Sequence, residues 1–206
     1  MAKITESINK IISLYDKYGK ADYIGENVSQ IEHALQCGQL AINKGYSNEI
    51  IIGALLHDIG QLIGLSMLND NDIDNEYGLI SKIGDSDINL NLGVSGHEYI
   101  GGKYLRKHGI SEYVVKLVEN HVIAKIYLVK HDSNYMKNLS DASKQTMIYQ
   151  IKNRQNIDLE MEEFEKSIYF EDSIKIRLLD DEAKNKEMIT QPIEFYIDII
   201  RNVMKK

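Results

Sequence analysis

One cysteine, one proline and no block of basic residues mark this chain of 206 residues, and each scarcity excludes something. The lone Cys37 has no partner for an internal disulfide, so a disulfide-stapled secreted scaffold is excluded and a reducing, cytoplasmic setting is expected. With a net charge of −7 and no run of lysine and arginine, no nucleic-acid partner is expected. No apolar run approaches the roughly 18 residues that span a bilayer. The N-terminus MAKITESINKIISLYDKYGK is amphipathic rather than signal-like, so no membrane partner is expected either. Nothing in the composition sets an oligomeric state.

A single proline and few alternating apolar patterns leave helices almost everywhere. Ile4, Ile8, Ile11, Ile12 and Tyr15 share one helical face. A second helix is expected from near Asn27 or Ser29 to Gly45, with Ile31, Leu35 and Ile42 inward. Ser47 is positioned to cap SNEIIIGALLHDI, Gly109 to stop SGHEYIGGKYLRKHG, and Ser111 to cap a long helix burying Val118, Val122 and Val129. Another helix starts after Ser140, Asp158 is a candidate N-cap for the next, IKIRLLDDEAK follows, and Pro192 lies near the start of the last. Residues 66 to 95, rich in Asn, Asp, Gly and Ser, predict a long loop or lid. The expected class is all-α: one domain over 1–206, a helical bundle of about eight helices.

Against this apolar background ALLHDIG sets His57 beside Asp58. Ionisable groups near a core are costly unless paired or bound to metal. One such pair is as readily a satisfied core contact as a ligand set, but four more residues change the balance. His33 lies mid-helix with Cys37 one turn on, His97 opens the helix after the long loop, His121 sits within an apolar stripe, and Asp180 follows two leucines. His108 and His131 fall at helix ends among charges and are expected to be solvated. Imidazoles with carboxylates suit iron, manganese or zinc, and bundles build such sites from facing helices. Cysteine is outside the set, which disfavours a structural zinc site. Four histidines and two aspartates are a natural count for two metals, with Asp58 as the bridge.

The order His33, His57-Asp58, His97, His121, Asp180 resembles the HD-domain superfamily of metal enzymes. DYIGENVSQIEHALQC, ALLHDIG, GHEYIGGKYL, LVENHVIAKIYLV, YMKNLSDASKQT and IKIRLLDDEAK together resemble its phosphonate-cleaving mixed-valent diiron oxygenases, typified by 2-amino-1-hydroxyethylphosphonate dioxygenase. The likeness runs from about residue 20 to 187, interrupted at 66 to 95. It implies an Fe(II)/Fe(III) pair. One iron would be held by His33, His57, Asp58 and Asp180, the other by His97 and His121, with Asp58 shared. The implied reaction uses O₂ to cleave the C–P bond of a 1-hydroxyphosphonate, giving phosphate and a carboxylic acid.

The resemblance also assigns the pocket. Tyr23 would cover the iron's open position until substrate displaces it, and Glu26 would receive a substrate ammonium. That points to 2-amino-1-hydroxyethylphosphonate, cleaved to glycine and phosphate. Lys125, one turn after His121, and Arg177, one turn before Asp180, would bind the phosphonate, although any lysine is more often a surface group. Ser143 matches a substrate-contacting position, although serines at helix starts are usually caps. Gln61 stands where the family commonly carries histidine, which removes a charge at the phosphonate and leaves room for another substrate. The competing expectation is an HD-domain phosphohydrolase of a nucleotide or phosphate ester, which would use the same ligands. A non-catalytic HD module is disfavoured because all six ligands are present.

Overall fold

The computed structural model describes residues 2–69, 93–152 and 154–205. Helices α1 (Ala2–Tyr18), α2 (Gln30–Asn43), α3 (Asn48–Leu56) and α4 (Ile59–Asn69) form the first half. Helices α5 (His97–Lys107), α6 (Glu112–His131), α7 (Tyr135–Asn138), α8 (Asp141–Lys152), α9 (Ile157–Glu165) and α10 (Phe170–Glu182) follow. A 3₁₀ turn over Ile193–Tyr196 leads into α11 (Ile197–Asn202). Among the described residues the bundle is all-α, with only two isolated bridges of β type. The expected count of about eight is exceeded because the chain turns at His57 and Asp58, separating α3 from α4, and because α7 and α11 are short.

Helix starts follow local chemistry. Ser29, Ser47 and Ser111 each accept a backbone N–H of the first turn, and Ser29 forms a reciprocal capping box with Glu32. Asp158 is not a cap. Asn156 begins α9 in the left-handed region (φ 55°), which its short amide side chain tolerates, and Asp158 pairs with Lys130 instead.

Helix α3 is buried on every side, from Ile50 through Leu56, and so forms the centre of the bundle. Around it pack Ile8 and Ile11 of α1, Leu62 and Ile63 of α4, Leu105 of α5, Leu117 of α6, Ile176 of α10 and Tyr196. A smaller cluster joins Val122, Ile123 and Ile126 of α6 to Met161 and Phe164 of α9. Fully burying one such aliphatic side chain contributes about 1.5–3 kcal/mol, which offsets the cost of drawing polar groups into the same layer.

Four expectations need correction. Ile31, Leu35 and Ile42 pack against the core as expected but are only half-buried. The buried face of α2 is His33, Ala34, Cys37 and Ala41, because small and polar residues there leave space for imidazoles. Val129 is half-buried, lying past the end of the core stripe of α6. The stretch Asn48–Met67 is apolar and long enough to pass for a membrane span despite its polar residues, yet 83% of its window is buried inside the fold. Finally, residues 66 to 69 belong to α4, with the Ser66 hydroxyl donating to the Ile63 carbonyl. Of the rest of the expected loop or lid, 70 to 92 lie outside the described residues and 93 to 95 lead into α5.

Candidate metal centre and substrate pocket

Five elements deliver the polar groups. His33 comes from the second turn of α2, His57 from the C-cap of α3, and Asp58 from the turn before α4. His97 is the first residue of α5, His121 lies mid-α6, and Asp180 near the end of α10. Gly60 makes the crossing of α4 and α5 possible, since a Cβ there would stand 1.9 Å from the His97 carbonyl oxygen. All four imidazoles are buried, as is Asp180.

Every ring is oriented by a backbone carbonyl. The Nδ1 of His57, His97 and His121 donates to the carbonyl three residues earlier (Ala54 at 2.8 Å, Val94 at 3.1 Å, Val118 at 2.7 Å). His33 Nδ1 donates 2.8 Å to Ala183, at the far end of the chain. With Nδ1 engaged, each Nε2 turns its lone pair inward. His33 and His57 face each other at 3.3 Å, and His97 and His121 at 3.0 Å.

The carboxylates complete two groups. Asp180 sets Oδ1 3.3 Å from His33 Nε2 and Oδ2 3.6 Å from His57 Nε2. Asp58 spans both groups, with Oδ2 3.2 Å from His57 and Oδ1 3.1 Å from His97 and 3.5 Å from His121. Four nitrogen lone pairs with the buried Asp180 and half-buried Asp58 carboxylates form a donor set well suited to cations. Protons are one answer. Burial alone would lower His57, but Asp58 and Asp180 outweigh it and push its pKa up to about 9, and Asp58 likewise raises His97. Despite their burial, both aspartates are held well below the usual carboxylate range, chiefly by His57 for Asp58 and by Arg177 for Asp180. Metal ions are the other answer, and the donors fit them. Separations of this size are what two ligands keep when they share one ion at about 2.0–2.2 Å. The donor atoms of Asp58, His97 and His121 form one group that could hold a metal, and those of His33, Cys37 and His57 another.

Cys37 is a residue that sequence reasoning set aside. Its sulfur lies 3.7 Å from His33 Nε2, and the i, i+4 spacing was the signal. Burial, then Asp180 and Asp58, push the thiol well up, and it donates to the Leu179 carbonyl, so it stays protonated and a poor ligand.

A pocket opens on the two groups, lined among others by Tyr23, Glu26, Gln61, Lys125, Ser143 and Arg177. The structure thus brings all the sequence-derived candidates together. A tight loop carries the first two: Tyr23 N–H donates to the Val28 carbonyl, and Gly25 has φ 69° with its α-carbon facing Ala142 of α8. The Tyr23 ring stacks on His33 at 3.9 Å and its hydroxyl donates 3.3 Å to Asp180 Oδ1. Burial and the two aspartates keep it a phenol.

Lys125 is buried and donates to Thr146 Oγ1 at 3.1 Å. Burial first, then the Arg177 guanidinium, push its pKa down to about 7. Arg177 is largely committed already: it bonds Asp180 through Nη1 and Asp181 through Nε and Nη2, leaving one N–H on each terminal nitrogen. Gln61 accepts the Val94 N–H at 2.8 Å, which ties α4 to the entry of α5. Ser143 N–H donates to the Ser140 hydroxyl, so Ser140, not Ser143, is the capping group. Of the two histidines expected to be solvated, His131 is exposed and His108 half-buried, its ring tilted at 50° against that of Tyr104.

Two further groups escaped the sequence. Gln150 lines the pocket with a buried carbonyl oxygen that has no hydrogen-bond partner among the described residues. Lys184, just past α10, sets its ammonium 2.8 Å from Glu26 Oε1, 3.2 Å from the Ser140 hydroxyl and 3.4 Å from that of Ser143.

No protein-family model matches the chain. It is 39% identical over 204 residues to an uncharacterized protein of Acanthamoeba polyphaga mimivirus, covering 99% of this chain and 83% of that one. It is 30% identical over 196 residues to the glycine-betaine-forming (1-hydroxy-2-(trimethylamino)ethyl)phosphonate dioxygenase of Leisingera caerulea, covering 94% and 88%. Hydroxymethylphosphonate dioxygenase of Gimesia maris is 28% identical over 191 residues, covering 93% and 85%.

Proposed function

The chain belongs to the phosphonate dioxygenase family, and we propose that it uses O₂ to cleave the C–P bond of a 1-hydroxyphosphonate, releasing phosphate and a carboxylic acid. Supporting it is the span of Asp58, one oxygen toward each histidine pair, beneath a pocket roofed by Tyr23. The proposal takes the chain as a single HD domain working in the cytoplasm, where its lone thiol stays reduced.

An Fe(II)/Fe(III) pair is the proposed cofactor, held by His33, His57, Asp58 and Asp180 on one side and by Asp58, His97 and His121 on the other. Bound there, iron supplies the electrons that O₂ activation requires and an open position for substrate oxygens. The remaining work falls to the chain. The four Nδ1 bonds fix each ring's tautomer and direction. Arg177 holds Asp180 in place and, lining the pocket, has two N–H groups to spare for the phosphonate. Lys125 meets the phosphonate as a cation, its long stem sheathed by α6 and α8. Tyr23 excludes water until the substrate lifts its hydroxyl from Asp180. Ser143 and Gln61 offer hydrogen bonds along the walls.

At the level of the individual compound, Glu26 alone would call for 2-amino-1-hydroxyethylphosphonate. Glu26 is not alone, however, because Lys184 already holds it.

The test is anaerobic purification with iron quantitation, then O₂ consumption and phosphate release over a panel of 1-hydroxyphosphonates. The expected result is two irons per chain and one O₂ consumed per phosphate released. Phosphate released from nucleotides or phosphate esters without O₂ would instead identify a phosphohydrolase.

A further inference from the structure

We propose that Lys184 sets the charge of the substrate: the chain takes 1-hydroxyphosphonates whose substituent on C1 is uncharged and discriminates against those carrying an amine or quaternary ammonium. The inference rests on the reading of the site as a phosphonate-cleaving centre and names its substrate class.

Among the described lining residues, Glu26 is the carboxylate away from the metal-facing groups, and a cationic substituent would need it. In this fold its Oε1 already accepts from the Lys184 ammonium at 2.8 Å. The contact is not a loose surface pair, because the two side chains are only 16% and 15% exposed. Lys184 is also anchored by the hydroxyls of Ser140 and Ser143 at the start of α8. An ammonium with three donors and three acceptors is satisfied. The chain has placed its own cation where a substrate cation would sit.

A cationic substrate has two ways in, and both are unfavourable. It can displace Lys184, which breaks charge-assisted hydrogen bonds and leaves a half-buried ammonium to find water. Or it can share Glu26 with Lys184, which puts two cations on one carboxylate in a pocket that also holds Lys125 and Arg177. Arg177 is no remedy, since its own carboxylates are Asp180 and Asp181. An uncharged substituent faces neither cost. A hydroxyl gains from the arrangement, since it can donate to the Gln150 carbonyl, which lines the pocket from α8 and has no partner among the described residues.

The test compares the iron-loaded protein with its Lys184→Ala and Lys184→Gln variants on four compounds. Two carry no charge beyond the phosphonate, hydroxymethylphosphonate and 1,2-dihydroxyethylphosphonate. Two carry a cationic substituent, 2-amino-1-hydroxyethylphosphonate and its N-trimethyl analogue. Binding is measured anaerobically by titration calorimetry, and turnover by phosphate release in air. The wild type is expected to favour the uncharged pair at least tenfold in Kd and kcat/KM. Both variants are expected to shift that ratio at least tenfold toward the cations, because Glu26 is then free. Lys184→Gln keeps hydrogen bonds to the serines without the charge and reads the same effect if the alanine variant does not fold. Wild-type preference for a cation, or an unmoved ratio in the variants, overturns the proposal. If no compound is cleaved with iron bound, the oxygenase reading falls, while the binding ratios still decide the role of Lys184.

Discussion

Gly60 and His97 meet where α4 crosses the start of α5, so closely that a β-carbon on Gly60 would lie 1.9 Å from the His97 carbonyl oxygen. Backbone cannot yield as a flexible side chain can, so any larger residue must push α5 away and carry His97 with it. Gly60→Ala is expected to destabilise the fold by about 1–3 kcal/mol, the usual cost of overpacking. Iron content should fall toward one per chain, because the His97–His121 pair is opened while His33 and His57 are untouched. Denaturant melts and metal analysis on the same preparation check both. A variant with full iron and wild-type stability would show that the crossing is not what sets the pair.

Asp58 should be the least replaceable ligand. It faces both histidine pairs, so on the proposed diiron reading Asp58→Ala is expected to lose both irons, whereas His121→Ala should retain the one proposed at His33, His57 and Asp180. Metal analysis after anaerobic reconstitution distinguishes the two. Equal loss in both variants would mean that the pairs do not bind independently of each other.

Lys125 carries a pH dependence whose sign differs between binding and folding. With its pKa pushed down to about 7 it is largely neutral in more alkaline solution. A phosphonate dianion settling beside it restores the ammonium. Binding is therefore strongest below about pH 7 and weakens as pH rises, and at higher pH it takes up a proton. Calorimetry at about pH 8 in buffers of different ionisation enthalpy should report uptake approaching one proton for the wild type and none for Lys125→Met. For the free fold the lowered value means that the unfolded chain binds the extra proton between about 7 and the ordinary 10.5. Over that range this residue's contribution makes stability rise with pH.

Tyr23→Phe keeps the stack on His33 and removes the hydroxyl from Asp180. If substrate must displace that hydrogen bond, its loss favours binding. The expected fall in substrate Kd is about two- to tenfold, from a net hydrogen-bond contribution of about 0.5–1.5 kcal/mol. A rise in Kd would assign the hydroxyl a contact with the bound substrate instead.

Much of this was legible in the sequence for local reasons. Serine caps act within three residues, so Ser29, Ser47 and Ser111 could be placed without knowing the fold. The six candidate ligands were found because charge in an apolar stripe is conspicuous. What failed depended on distant partners. The inward face of α2 was read from its isoleucines and leucine, yet the face that looks into the site is built from His33, Ala34, Cys37 and Ala41. Asp158 has the chemistry of a cap, but a left-handed Asn156 took the position and Lys130 took its carboxylate. Lys184 carried no signal at all, being 158 residues from the glutamate it neutralises.

The hydrogen bond from His33 to Ala183 has one more consequence. Three imidazoles are aimed by a carbonyl only three residues earlier and can be oriented as soon as that local turn forms. The fourth waits for a carbonyl 150 residues away, on the same short segment that brings Asp180. A ribosome making this chain therefore releases an incomplete cage for almost the whole of synthesis. Only when α10 folds back onto α2 does the half of the centre built on His33 gain its second carboxylate and its oriented ring. If the centre binds metal as proposed, the last helix to contribute is the gatekeeper of the His33 group, which a chain cut short before Asp180 could not complete.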